Sequence, residues 1–386
     1  MSSGADGETS SLGAARTLAE HLARRIRALG PLTVETYMTE VLTNPRHGYY
    51  VTQQPFGQNG DFITAPEVSQ MFGELIGAWM ADTWTRMGRP SGVHMVEIGP
   101  GRGVLMRDLL RAASTVQGFR DAATVHLVDV SPALQLVQRR ALAESGWNIR
   151  WHTSFADVPS RGPLLMIANE LFDALPIRQF VRTRAGWCER LIDVAPRGAQ
   201  SEDGPGDALR FVLTRGPSPA SALIPASVRE TAPLESVAEV SPASISLATA
   251  IGARVAVEGG GALIIDYGNT EFGARDTLQA VLRHQSHPVL DAPGTADICA
   301  HVDFAMVAQA AHAAGARVWG PRTQGEFLRT IGIAERATVL SRVATPEQRD
   351  EITAALNRLV GSHAMGGLFK VVALTHRDLD DVAGFQ

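Results

Sequence analysis

Two cysteines, Cys188 and Cys299, are too few among 386 residues for a disulfide framework or a four-cysteine zinc site. Their scarcity fits a reducing compartment. No apolar run approaches the roughly 20 residues that a bilayer-spanning helix needs, and the longest, such as Gly261–Tyr267, are short. There is no positive excess either. Thirty-five Lys and Arg stand against 40 Asp and Glu, a formal net charge of −5, which disfavours a phosphate-neutralising nucleic-acid face. The start, Met1–Ser10, lacks the positive segment and apolar centre of a signal peptide, and Asp6 and Glu8 argue against a mitochondrial presequence. A cytoplasmic setting is therefore expected, without membrane insertion.

What remains is an ordinary globular composition, 45% hydrophobic and 19% charged, long enough for two or three domains at about 100–200 residues each. Residues 1–11 read as a disordered tail. Thr17–Leu29 places Leu18, Leu22, Ile26 and Leu29 on one helical face and stops at Gly30-Pro31. Thr33–Leu42 and Val68–Met87 are predicted as further helices. Between them, His47–Glu67 is rich in turn formers and aromatics and reads as a structured loop.

From Val93 onward, short apolar runs alternate with helical patterns, which predicts a mainly parallel sheet covered by helices. Strands are expected at Val93–Ile98, Val125–Val130, Ile149–His152, Leu164–Ala168, Ala262–Asp266, Ala316–Trp319 and Leu368–Leu374. Helices are expected at Val104–Ala113, at Pro132–Glu144 behind Ser131, and at Phe304–Ala314 between Asp303 and Gly315. Ile177–Thr183, Trp187–Val194 and Leu209–Leu213 read as an antiparallel meander, with Pro196–Gly206 as a loop. The domains follow: a helical lid region at 12–90, a sheet domain of 91–176 and 259–386, and an inserted β-containing subdomain at 177–258.

Chemistry concentrates where strands end. Glu97-Ile-Gly99-Pro100-Gly101-Arg-Gly103 lies between a strand and a helix, where glycines allow close backbone approach and helix N–H groups can face an anion. A dinucleotide fingerprint would place a glycine at 104, where Val stands. The pattern instead suits the Glu-x-Gly-x-Gly-x-Gly loop of S-adenosylmethionine methyltransferases. Asp129 ends the next strand, where a carboxylate can accept two ribose hydroxyls or, alternatively, cap the following loop. Ser154 and Phe155 follow the third strand, at the position of an adenine contact.

Asn169-Glu170-Leu171-Phe172-Asp173-Ala174-Leu175-Pro176 follows the fourth strand. Asn169 would face cofactor, and Glu170 and Asp173 suit a cationic acceptor such as a guanidinium; helix capping is the competing account. His301 and Asp303 either line the same cleft or brace it. Tyr49, Tyr50 and Phe62 are candidate lid residues, against a packing role. His284 and His287 lack a third ligand at matching spacing, so no metal site is expected.

Five separated strings together resemble one family, the MidA proteins. They are Gly60–Glu67, Glu97–Gly103, Asn169–Pro176, Leu263–Gly268 and Ala300–Phe304, in order across most of residues 35–375. The resemblance implies a class I methyltransferase, a Rossmann-like, doubly wound α/β fold that takes S-adenosyl-L-methionine. It also implies arginine methylation of a respiratory complex I subunit, the activity of the mitochondrial members, or of its counterpart in bacteria. Cys299 departs from the small hydroxyl residue expected before Ala300. By the same match Asp61, Phe62, Thr64 and Glu67 belong to a lid element facing cofactor or acceptor. Two alternatives stay open: a methyltransferase of a small molecule or other nucleophile, and a non-catalytic assembly factor retaining the fold. Oligomeric state is not legible.

Overall fold

The computed structural model describes residues 17–52, 64–196 and 208–386. The expectations for residues 1–11, the first half of Gly60–Glu67 and the loop after Pro196 lie outside them. The central sheet has seven strands in the main path: β1 Val93–Ile98, β2 Ala123–Val128, β3 Ile149–His152, β4 Leu164–Asn169, β5 Gly260–Asn269, β6 Arg317–Thr323 and β7 Phe369–Thr375. Their spatial order is β3-β2-β1-β4-β5-β7-β6. Strands β3 through β5 are mutually parallel, while β7 runs antiparallel to both its neighbours. The order reverses between β1 and β4, and in such sheets that crevice, outside the strands' carboxyl ends, takes the ligand.

Alternation along the strands builds two cores. Met95, Val125, Leu165, Leu263 and Val371 face a layer containing Trp79, Leu105, Leu109 and Phe327. Val96, Val128, Met166, Ile264 and Val372 face one containing Ala248, Ile251, Val255 and Phe304. Each such side chain, once buried, contributes about 1.5–3 kcal/mol. The helix Val104–Ala113 forms where expected and buries Leu105, Met106, Leu109, Leu110 and Ala113. Pro132–Ala141 begins on the Ser131 cap, and Phe304–Ala313 on Asp303, whose side chain accepts from Met306 N.

Three assignments need correction. Val68–Met87 is not one helix: Ser69 is extended, and its side chain caps a new helix, Gln70–Arg86. That helix belongs to the sheet core rather than a lid, because Phe72, Ile76, Trp79 and Met80 are buried there and Gly73 and Gly77 let it approach Val104–Ala113 closely. Likewise, Pro242–Glu258 lies within the span read as an insertion, but its buried face packs on the sheet. The remaining meander is real: Arg178–Thr183, Gly186–Val194, Leu209–Leu213 and Val237–Val240 pair antiparallel.

The helices Leu18–Leu29 and Val34–Thr43 pack on this meander through Leu22, Ile26, Tyr37 and Val41 against Ile177 and Ile192. The small sheet Gln279–Leu282, Gln285–His287 and Asp297–Cys299 was not anticipated. His284 stands at positive φ in its hairpin, and His287 Nε2 lies 3.2 Å from Asp291 O.

Candidate active site

At the end of β1 the chain turns through Gly99, Gly101 and Gly103, with φ of 70°, 51° and 79°. This left-handed region costs an L side chain about 1–2 kcal/mol. Gly103 precedes Val104–Ala113 and supplies no side-chain cap, so no cap side chain occupies the first amides of that ten-residue helix. A methyl group on Gly99 would sit 3.0 Å from Leu171 Cδ1, which brings the glycine turn against the segment after β4.

Asp129, after β2, is buried, and burial raises its pKa while two hydrogen bonds pull the other way. Oδ1 accepts from Ser131 N at 2.8 Å and Oδ2 from Gln138 Nε2 at 2.7 Å. The same Gln138 amide donates to Gly101 O at 2.8 Å, and Trp151 Nε1 donates to Gln138 Oε1 at 3.1 Å. Each carboxylate oxygen retains a lone pair for an incoming hydroxyl. Glu97 is 2% exposed. Burial, then the neighbouring Asp129, pushes its pKa to about 8.

Three acceptors around this turn lack a hydrogen-bond partner among the described residues: Glu97 Oε2, Asn169 Oδ1 and Glu67 Oε2. Buried acceptors are normally paired. An α-ammonium brings three N–H donors, a ribose brings hydroxyls, and the free helix amides suit a carboxylate. The donor-poor pocket and the glycine cradle therefore fit S-adenosyl-L-methionine, with Glu97, Gly99, Pro100, Gly101, Gly103, Asp129 and Asn169 as the residues that would hold it.

After β4 stand the two acids. Glu170 has φ 50° and is partly buried, and burial drives its pKa to about 7 against the pull of the Ala65 amide. Its Oε1 accepts from Ala65 N at 2.9 Å and from Asn169 Nδ2 at 3.1 Å. Burial raises Asp173 to about 6, with a hydrogen bond from the Tyr267 hydroxyl opposing the shift. Beside them Tyr50 donates to Asp297, with Oδ1 at 3.0 Å, and Cys299 is buried near Asp173 and Tyr267. The site thus collects acids and hydroxyls from four segments far apart in sequence.

Asp61 and Phe62 lie outside the described residues. Thr64 occupies the cap position before Ala65–Val68 without a side-chain cap hydrogen bond, whereas Glu67 lies 3.5 Å from Arg102 of the glycine turn. Asp303 caps its helix, and the His301 ring packs edge-on against Tyr267 at 5.2 Å. Both border a separate cavity of about 30 Å³ with Phe172 and Glu239. Ser154 caps the turn Phe155–Asp157, and Arg254 lies over the Phe155 ring at 5.5 Å. Sequence reasoning gave no part to Gln138, Asp266 or Tyr267. Only the string Leu263–Gly268 pointed toward the last two.

Residues 75–322 match the family described as "Putative S-adenosyl-L-methionine-dependent methyltransferase". Over 378 residues the chain is 39% identical to protein arginine methyltransferase NDUFAF7, mitochondrial, of Danio rerio, covering 92% of this chain and 86% of that one. Against the protein of that name from Homo sapiens it is 36% identical over 377 residues, 92% and 82% of the two chains. Among solved structures, one from Burkholderia thailandensis bound to S-adenosyl-homocysteine superposes with a TM-score of 0.79 at 27% identity, covering 95% of this chain and 93% of that one.

Proposed function

Because this chain belongs to the S-adenosyl-L-methionine-dependent methyltransferase family and is an enzyme using that cofactor, we propose that its acceptor is an arginine guanidinium on a protein. The observation carrying this reading is the pair Glu170 and Asp173, held together at the switch-point crevice beside the glycine turn. The similarity to protein arginine methyltransferases supports it. The proposed substrate protein is a respiratory complex I subunit or its bacterial counterpart, with the meander 178–240 as docking surface.

Bound S-adenosyl-L-methionine supplies a methyl group on a positively charged sulfur, open to in-line displacement by a positioned nucleophile. The glycine turn and Asp129 fix the donor's place. Glu170 and Asp173 hold the planar cation by charge-assisted hydrogen bonds and aim one nitrogen toward the crevice. That nitrogen sheds a proton as it gains carbon. Glu170, near pKa 7, is matched to receive it at neutral pH.

The test supplies tritiated S-adenosyl-L-methionine and an array of arginine-centred peptides to wild type and Glu170→Gln. Label should enter arginine peptides, fall about 100-fold or more in the variant, and leave S-adenosylhomocysteine affinity nearly unchanged. With cell extract added in place of the peptides, label entering small molecules instead of protein would overturn the acceptor assignment. Loss of S-adenosylhomocysteine affinity in the variant would remove Glu170 from the acceptor clamp.

A further inference from the structure

The string Leu263–Gly268 carries two polar side chains that the mechanism above does not use. Strands β4 and β5 run parallel to their ends, where Glu170 N donates to Ile265 O at 2.9 Å. The next residue, Asp266, is fully buried. Its Oδ2 accepts three consecutive backbone N–H groups, from Leu171 at 3.1 Å, Phe172 at 2.8 Å and Asp173 at 3.2 Å. Oδ1 accepts from Tyr267 N at 2.9 Å. The Tyr267 hydroxyl lies near both the Asp173 carboxylate, whose ionised form it favours, and the Cys299 thiol.

Glu170, at φ 50°, stands directly before those amides. A non-glycine residue holds this conformation only when its surroundings over-determine it. Successive N–H groups converging after a left-handed residue form an anion-binding concavity. Here the concavity holds another side chain's carboxyl, some 95 residues away in sequence, whose pKa burial and the neighbouring Asp173 and Glu170 raise while the backbone N–H bonds pull the other way. We propose that Asp266 and Tyr267 are the positioning residues of the acceptor site: Asp266 fixes the backbone that presents Glu170 and Asp173, and Tyr267 orients the Asp173 carboxylate. The proposal rests on the reading that these two acids hold the acceptor. It explains why the two residues are adjacent. One fastens the loop and the other fastens the side chain which that loop carries.

The test compares Asp266→Asn and Tyr267→Phe with wild type in the full-length protein, together with Glu170→Gln. Three readouts are taken: S-adenosylhomocysteine affinity by calorimetry, kcat and KM for labelled methyl transfer to arginine-centred peptides, and the pH profile of kcat. Displacing the acids should lower kcat by about 10- to 100-fold, with S-adenosylhomocysteine affinity within about threefold, less than one 1.4 kcal/mol decade. The groups around Asp173 are Glu170, Asp266, Tyr50, Tyr267 and Cys299. Removing the tyrosine hydroxyl takes a donor from the ionised Asp173, so the acidic limb of Tyr267→Phe should move to higher pH.

Wild-type kcat and an unmoved limb in Tyr267→Phe would overturn the proposal, as would parallel loss of S-adenosylhomocysteine binding and thermal stability in both variants. Should Asp266→Asn fail to fold, Tyr267→Phe alone decides. An inactive Glu170→Gln beside two fully active positioning variants would sink only this inference. A fully active Glu170→Gln would sink the acceptor reading beneath it.

Discussion

Gln138 donates from one amide nitrogen to Asp129 Oδ2 at 2.7 Å and to the carbonyl of Gly101 at 2.8 Å. A single buried side chain therefore ties the acid after β2 to the glycine turn across two βα units. Removing it leaves both acceptors short of a donor and frees the turn from the acid.

We expect Asp129→Ala to weaken S-adenosylhomocysteine binding by about 100-fold, the scale of two hydrogen bonds to a charged group. Gln138→Ala should weaken it by about tenfold, since the acid survives but loses its orientation. Calorimetric titration measures both. Equal affinity for Gln138→Ala and wild type would show that the Asp129 position does not depend on this bridge.

Glu97 carries a pKa of about 8 against an ordinary 4.5, because its burial, reinforced by Asp129, opposes the charged form. An acid whose folded pKa is raised contributes stability that is fully present below the unfolded pKa and is lost as pH rises through the folded one. The window here runs from about 4.5 to 8. Glu97→Gln, which mimics the neutral acid, should therefore gain little in Tm at pH 5 and progressively more toward pH 8.5. Thermal melts across that range test it. A gain that is the same at both ends contradicts the assignment.

Gly77 allows the helix Gln70–Arg86 to lie against Val104–Ala113: an added Cβ would fall 2.3 Å from Leu109 O. The partner atom is backbone and cannot swing aside. Gly77→Ala should cost about 1–3 kcal/mol by overpacking, visible as a lower urea midpoint with unchanged m value. Because this helix pair supports the start of the glycine turn, S-adenosylhomocysteine affinity should fall with it. A midpoint equal to wild type would mean that the helices separate freely.

Much of the fold was readable because it rests on local rules. Val104–Ala113 follows from apolar spacing after a glycine turn, and the Ser131-Pro132 and Asp303 starts follow from capping. Other elements defeated the same rules. Pro242–Glu258 buries the small residues Ser244, Ala248 and Gly252 beside Ile251 and Val255, which leaves little periodic apolar contrast to mark its place on the sheet. The break at Ser69 depends on a serine that looks like any polar residue of a helix surface until its backbone is seen to be extended.

The candidate site divides along the same line. Sequence alone located the glycine turn and the acids at the strand ends, because a glycine turn needs glycine where φ is positive and an acid after a strand must lie at the sheet's carboxyl edge. It also determined the family, through strings too specific to arise from the turn itself. Only the tertiary structure decided which distant groups meet those acids. Asp266 reaches the amides of Leu171, Phe172 and Asp173 because β4 and β5 are neighbours in register, and Gln138 reaches Asp129 because its helix folds back over the turn. Such contacts are set by the packing of whole layers, and no local pattern encodes them.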